Sequence, residues 1–363
     1  MRLSWLTLRN YRSYRELDWR PEPGVNVLVG ANASGKTNAI ESIAYLASLR
    51  SFRGAQDQVL VADTGDAAVV RGSIERAESE ILIEVEIPRG GRRRAQVNRQ
   101  RLARVADLLG HVRSVVFLPD DLDIVKRGPG YRRDYFDATA VQIWPVAAGD
   151  QQDYERALRQ RNTLLKQGGR HVDLMTLGVW DDRLSQAGGK LMARRRDAVT
   201  AVIQEMERVY NLLAAADLRI EVDYQSSWNA ALEGPAASYA SDLKEALVAA
   251  HRSDMDRRVT TVGPHRDDPV IRLGGRDTRT RASQGEQRTL TLAMRIAAHR
   301  AIEDAVGEPP LLLLDDVFSE LDMHRAKALA DALPDAQTFI TTARHEEVPL
   351  EGRRWTVSGG GVT

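Results

Sequence analysis

The sequence predicts an α/β protein in which sheet-forming segments are interrupted by a compact α-helical subdomain, without a long coiled coil. Three observations predict it. An apolar strand pattern at Val25–Val29 runs straight into a Gly-rich turn and an amphipathic helix at 35–48. A second wholly apolar strand at 311–314 ends in two acids, Asp315 and Asp316. From about 119 to 215 the β pattern gives way to apolar residues at helical spacing.

The N-terminal segment alternates with period two, which puts Leu3, Trp5, Thr7 and Arg9 on one face and Leu6 and Leu8 on the other. In the helix at 35–48, Ile40, Ile43, Ala44 and Ala47 share one stripe. Further strands are expected at 68–74, 81–87 and 114–118, with a turn at Gly90-Gly91. The middle region carries helical stripes through Tyr154, Ala157, Leu158, Leu164 and Leu165, and through Trp180, Leu184, Ala187 and Leu191. Val199, Val202, Met206, Val209 and Leu213 continue at heptad-like spacing, but Gly188-Gly189 is expected to interrupt the run. The pattern then returns to α/β. A strand lies at 218–224, a short helix at 242–251 and a hairpin at 270–281 around Gly274-Gly275. A helix at 284–305, the 311–314 strand, a helix at 323–333 and a strand at Thr338–Thr342 follow. The Gly359-Gly360-Gly361 tail is expected to be floppy.

Composition narrows the chemistry. The chain has 363 residues, with 51 basic side chains against 51 acidic ones and a net charge of zero. It has no cysteine, which removes disulfides, thiolate metal sites and cysteine nucleophiles. No run approaches the roughly 18 apolar residues of a membrane span. The Arg-studded N-terminus does not read as a signal peptide, so a cytoplasmic protein without a membrane partner is expected. Neutral overall charge permits nucleic-acid binding only if basic groups collect on one surface.

Four motifs carry the chemistry. Gly30-Ala31-Asn32-Ala33-Ser34-Gly35-Lys36-Thr37 fits the G-x-x-x-x-G-K-[ST] phosphate loop and stands between the required strand and helix. Its glycines let backbone N–H groups curl around an anion, and the new helix offers its positive end. Lys36 would reach the β and γ oxygens of a nucleotide, and the Thr37 hydroxyl would hold Mg²⁺. Asp315, delivered by the apolar strand, would support the same Mg²⁺. Asp316 would orient or deprotonate an attacking water. Ser283-Gln284-Gly285-Glu286-Gln287 opens a helix. Ser283 with Glu286 fits a capping box, and the same Ser283 and the N–H groups near Gly285 fit a phosphate site. Ser319-Glu320-Leu321-Asp322 would cap the next helix.

The order of these motifs resembles an ABC-type P-loop ATPase head. The resemblance narrows to the RecF family, relatives of the SMC and Rad50 heads. It is carried by Leu6-Thr7-Leu8-Arg9-Asn10-Tyr11-Arg12-Ser13, the loop ending in Lys36-Thr37-Asn38, and Val116-Phe117-Leu118-Pro119-Asp120-Asp121-Leu122. Gly263-Pro264-His265-Arg266-Asp267-Asp268 and Ser283 to Arg288 complete it. It implies a mixed-sheet ATPase domain from 1–118 plus about 255–363, with a mainly helical subdomain at about 119–254. It implies ATP and Mg²⁺ as ligands, weak DNA-linked ATPase activity, and a head-to-tail homodimer formed when ATP is bound. Ser283, Gly285 and Glu286 would then act on the nucleotide of the second subunit, and Asp322 would sit at the interface. The dimer would clamp DNA and help load recombinase together with RecO and RecR in recombinational repair.

The sequence departs from the generic pattern in places. Ala282, Gln284 and Glu286 stand at three positions of the common L-S-G-G-Q signature, and Ala33 stands where SMC-like loops have Gly. No Gln occurs at 118–121 to serve as a Q-loop ligand, and His345 follows Arg344 instead of adjoining the strand as a switch residue. Three basic groups are candidates for DNA phosphates: Arg92-Arg93-Arg94 with Arg99, Arg101 and Arg104; Lys126, Arg127, Arg132 and Arg133; and Arg194-Arg195-Arg196. Two other readings share the motifs, the ATPase subunit of an ABC transporter and a nucleotide-gated scaffold without significant hydrolysis.

Overall fold

In the computed structural model, residues 1–77, 79–228 and 234–363 are described, apart from the side chains of Glu320 and His345. The chain divides into two compact units. One comprises Met1–Asp121, Arg208–Ala216 and Leu292–Thr363, and the other Leu122–Glu207 and Asp217–Thr291. The expected return to the ATPase domain near 255 differs from this division. The strand Asp268–Leu273 pairs along its length with Ile220–Gln225, which keeps residues 268–277 with the second unit.

The first unit holds two six-stranded sheets. Strands β1 (Arg2–Tyr11), β2 (Tyr14–Trp19), β3 (Val25–Val29), β4 (Ala67–Arg76), β5 (Ser79–Pro88), β6 (Arg94–Val97), β7 (Gln100–Arg101) and β8 (Ser114–Phe117) come first in the chain. The antiparallel sheet has the order β2-β1-β4-β5-β6-β7. β9 (Ile220–Gln225), β10 (Asp268–Leu273) and β11 (Arg276–Asp277) form the small sheet of the second unit. The remaining strands are β12 (Leu311–Asp315), β13 (Thr338–Thr342), β14 (Arg353–Ser358) and β15 (Gly361–Val362). They join β3 and β8 in the order β15-β14-β3-β13-β12-β8, with parallel pairing everywhere except β14 with β15. Parallel strands covered on both faces demand uninterrupted apolar residues, and every residue of β12 is buried.

The helix Lys36–Ser48 packs against β1 and β5 of one sheet and β8, β12 and β13 of the other. Its Ile40, Ile43 and Leu46 share one core with Leu6, Leu8, Val70, Ile83, Leu311 and Phe339. Leu3 joins that core with Leu6 and Leu8 instead of facing away from them. The pairing of β1 with β4 slips between Leu3 and Trp5, and the extra residue of such a bulge reverses the alternation. The Gly-rich tail is an ordered hairpin. Gly359 and Gly360 adopt φ of 56° and 80°, and Val357 pairs with Val362.

The second unit packs helices Pro129–Ile143 and Val146–Gly168, most of Leu174–Ala214, and Ala236–Ala249. Leu174–Ala214 is one helix of 41 residues, about 60 Å at roughly 1.5 Å per residue. Gly188 and Gly189 do not break it. A Cβ on Gly188 would lie 2.4 Å from Leu243, and one on Gly189 would lie 2.5 Å from the Ala236 carbonyl oxygen. Both glycines serve close helix packing. A core of Tyr154, Leu184, Met192, Tyr239 and Leu243 surrounds this contact. Arg161, with no exposed side-chain surface, donates to Asp181 at 2.7 Å and Asp254 at 2.6 Å. Among the described residues no helix is long and apolar enough to cross a membrane.

Candidate nucleotide site

The loop from Gly30 to Gly35 leaves β3 with a backbone that its sequence selects. A Cβ on Gly30 would lie 2.5 Å from the Val357 carbonyl oxygen of β14, so only glycine fits there. Gly35 has φ of 111°, and a side chain there would also crowd Ser13 and Tyr14 at 3.0 Å. Ala33 takes φ of 65° at the position noted for lacking glycine. The Tyr14 hydroxyl donates to the Gly35 carbonyl at 3.1 Å, pinning the end of the loop. The Lys36–Ser48 helix then starts with no capping side chain and no acid in its first turn. Its first N–H groups and dipole are therefore available to an anion.

Lys36 lies largely buried in the loop and donates to the Gly30 and Ala31 carbonyls at 2.8 and 3.0 Å. Burial lowers its pKa, while Asp316 and Asp315 work in the opposite direction. Asp315, the last residue of β12, accepts from the Thr37 hydroxyl at 2.9 Å and the Thr341 hydroxyl at 2.6 Å on the same oxygen. Burial raises its pKa, the two hydroxyl donors lower it, and Asp316 raises it further. Asp316 sits in left-handed backbone at φ 52°, fixed by its N–H donating to Thr341 Oγ1 at 3.0 Å. Two buried oxygens of this site, Asp316 Oδ1 and Ser34 Oγ, have no partner among the described residues.

These residues fit a magnesium nucleotide. Thr37 and Asp315 offer hard oxygens at one point, and Mg²⁺ commonly takes one or two protein oxygens and completes its shell with phosphate and water. Among the described residues no group of three or more carboxylates or histidines could hold a metal alone.

The structure therefore brings Lys36, Thr37, Asp315 and Asp316 together with the loop residues Gly30, Ala31, Asn32, Ala33, Ser34 and Gly35. Asn38 points elsewhere in the first turn and donates to Ser13 Oγ at 2.9 Å. It lines a cavity of about 320 Å³ with Arg12, Ser13, Arg53 and Asp63. Sequence reasoning assigned no role to Arg12, Ser13 or Arg53. The signal for Arg12 and Ser13 was the Tyr11-Arg12-Ser13 stretch already singled out as a motif, and Arg53 had none. Arg12 is held there by two 2.9 Å bonds to the buried Glu41.

Ser283, Gly285 and Glu286 belong to the second unit. Ser283 and Glu286 form the capping box: the Ser283 N–H donates to Glu286 at 2.8 Å, and the Glu286 N–H donates to Ser283 Oγ at 3.2 Å. Those bonds, with Arg276, lower the pKa of Glu286. Asp322 caps its own helix by accepting from the Arg325 N–H at 2.9 Å. At the segment without a Q-loop glutamine, Asp121 accepts from Arg295 at 2.5 and 2.9 Å. The side chain of His345, the histidine nearest the place of a switch residue, lies outside the described residues.

The family model of the RecF/RecN/SMC N-terminal domain matches residues 2–354. The DNA replication and repair protein RecF of Streptomyces avermitilis is 39% identical over 100% of this chain and 99% of its own. Two solved structures, RecF-ATPrS and RecF-ATP, are each described as the recombination mediator protein of the RecFOR pathway. They are both 31% identical, with TM-scores of 0.92 and 0.89. They cover 99% and 100% of this chain, and this chain covers 97% and 98% of theirs. A phosphate loop, an acid pair beside it and a capped signature helix, found over an end-to-end match of this kind, mean that the chain belongs to the RecF family of DNA replication and repair proteins.

Proposed function

We propose that this chain is an ATP-dependent DNA-binding protein of recombinational repair and replication restart. The observation that carries the reading is the Thr37–Asp315 pair, which joins phosphate loop and acid-ended strand. Lys36 supplies the cation for the β and γ phosphates, and the orphaned Ser34 hydroxyl lies in the loop that would surround them. Bound Mg²⁺ would neutralise phosphate charge at Thr37 and Asp315. Asp316, locked by Thr341 and with one oxygen unpaired, is the residue that holds or takes the proton of an attacking water. The cavity beside Asn38, polar and arginine-lined, suits the nucleoside end of the ligand.

ATP would join two copies head to tail, with Ser283, Gly285 and Glu286 of each covering the nucleotide of the other and Asp322 at the junction. The dimer would close on gapped DNA or a junction of single and double strand. Slow hydrolysis would release it, and RecO and RecR would share in loading recombinase, in the cytoplasm. The ATP-bound RecF structure and its RecFOR description support this reading by relationship. Sedimentation of the full chain with and without ATP and Mg²⁺ tests it. A mass that doubles with ATP is expected, and a monomer at saturating nucleotide overturns it.

A further inference from the structure

Residues 88–104 contain seven arginines and no Asp or Glu. Four of the seven have work inside the first unit. Arg89 donates to the Ala62 and Gly65 carbonyls at 2.6 and 3.1 Å. Arg93 donates to the Leu49 carbonyl at 2.6 Å and pairs with Asp57. Arg94 pairs with Glu86 at 3.0 Å, and Arg104 with Asp107 at 2.7 Å. Arg92, Arg99 and Arg101 are exposed, and among the described residues none pairs with them.

In the other two basic groups every arginine is engaged within its own unit, and Lys126 alone is exposed and unpaired among the described residues. Arg127 pairs with Asp123, Arg132 with Asp268 and Arg195 with Asp137. Arg133 donates to the Asp267 carbonyl, and Arg194 and Arg196 pair with Asp150 and Asp197. Two arginines of the antiparallel sheet are balanced as well. Arg9 pairs with Glu16 and Arg71 with Glu84, each across one strand register. Of the three basic groups, the one that keeps several uncompensated arginines is therefore the stretch through β6 and β7, with Arg92, Arg99 and Arg101.

The turn between β6 and β7 adds a second observation. Asn98 and Arg99 take φ of 50° and 65° between the paired residues Val97 and Gln100. Two successive left-handed residues are a two-residue hairpin turn that favours Asn followed by Gly. Asn98 does the holding, since its N–H donates to the Leu82 carbonyl at 2.8 Å and its side-chain oxygen accepts from the Leu82 N–H at 2.9 Å. The second position would fold better as glycine. An arginine there is a cost to the turn, and nothing within the unit uses its charge.

We propose that Arg92, Arg99 and Arg101 form the phosphodiester-contacting edge of this protein, a sequence-tolerant surface for DNA. Arg99 stands in the turn itself and Arg101 two positions on in β7. The proposal rests on the DNA-binding reading above and names the groups that serve it.

The experiment uses the full chain with ATP and Mg²⁺ and a fluorescent gapped duplex, followed by anisotropy from 50 to 200 mM salt. The variant carries Arg92→Gln, Arg99→Gly and Arg101→Gln, and the control carries Arg71→Gln with Glu84→Gln. We expect the variant to bind at least tenfold more weakly. Its salt slope should be shallower by roughly 0.9 for each arginine that meets a phosphate. The control should match the parent. Parent binding with an unchanged variant overturns the proposed edge and leaves the DNA reading standing. Failure of the parent itself to bind defeats the DNA reading, and the edge with it. Arg99→Gly alone should keep or raise the unfolding temperature, and a fall would overturn the argument from the turn.

Discussion

The Thr37 hydroxyl donates to Asp315 at 2.9 Å, although 278 positions separate the two in the chain. The bond closes the end of the site proposed for magnesium, and Thr341 supports it from the neighbouring strand. Thr37→Val removes one donor from a buried carboxylate. A hydrogen bond to a charged group contributes about 1.5–3 kcal/mol. Affinity for ATP with Mg²⁺ should therefore fall roughly ten- to a hundredfold, measured by titration calorimetry.

Asp316→Asn retains a residue type that accepts left-handed backbone while removing the proposed base. Phosphate release should drop by about 10²–10⁴ with nucleotide binding kept. Unchanged turnover would show that Asp316 is not the base.

Ser283 has a structural duty in its capping box and a proposed duty toward a partner's phosphate. Ser283→Asp separates them, because Asp is as good an N-cap as Ser but repels phosphate. Thermal stability should hold within a few tenths of a kcal/mol while the ATP-dependent dimer disappears from sedimentation profiles. A dimer that persists would remove Ser283 from the interface.

Two glycines of the same helix should respond oppositely to alanine. Gly178 has open space around it, so Gly178→Ala should stabilise by about 1 kcal/mol. Gly189→Ala drives a methyl to 2.5 Å from the Ala236 carbonyl oxygen and should cost about 1–3 kcal/mol despite better helix propensity. Urea unfolding of the two variants checks both signs.

His299 has no exposed side-chain surface, and its Nε2 donates to the Pro310 carbonyl at 3.1 Å. Burial pushes its pKa down to about 4, with Arg300 and the N-terminal amine acting in the same direction. Above about pH 6.5 the imidazole is neutral in both folded and unfolded chains. As pH falls from there toward 4 only the unfolded chain takes up the proton, so stability is lost. The loss amounts to about 3 kcal/mol by pH 4. His299→Gln should flatten the pH dependence of the unfolding midpoint within that window.

Local patterns made most of the fold legible. Residues 25–48 and 311–316 announce strand, loop and helix by themselves, and the acid pair follows from its strand. Leu3 was misread because a bulge depends on the partner strand, and nothing in β1 alone marks it. Gly188-Gly189 read as a breaker because propensity sees only the helix, whereas the need for glycine comes from Ala236 and Leu243 on another helix. The cavity at Arg12 and Ser13 was hidden because the turn after β1 meets Asn38 only when folded. Arginine runs at 132–133 and 194–196 looked like surface, since the carboxylates and carbonyls that bind them are mostly far away in sequence.

β3, from which the phosphate loop springs, lies between β13 and β14, and the Val357 carbonyl backs the first glycine of that loop. During synthesis on the ribosome, β1, β4 and β5 can pair as soon as they emerge, because their partners are already made. After Thr37 the chain must grow by 278 residues before Asp315 exists, and by 304 and 320 before Thr341 and Val357 do. A nascent chain should therefore acquire its capacity for nucleotide only as translation finishes.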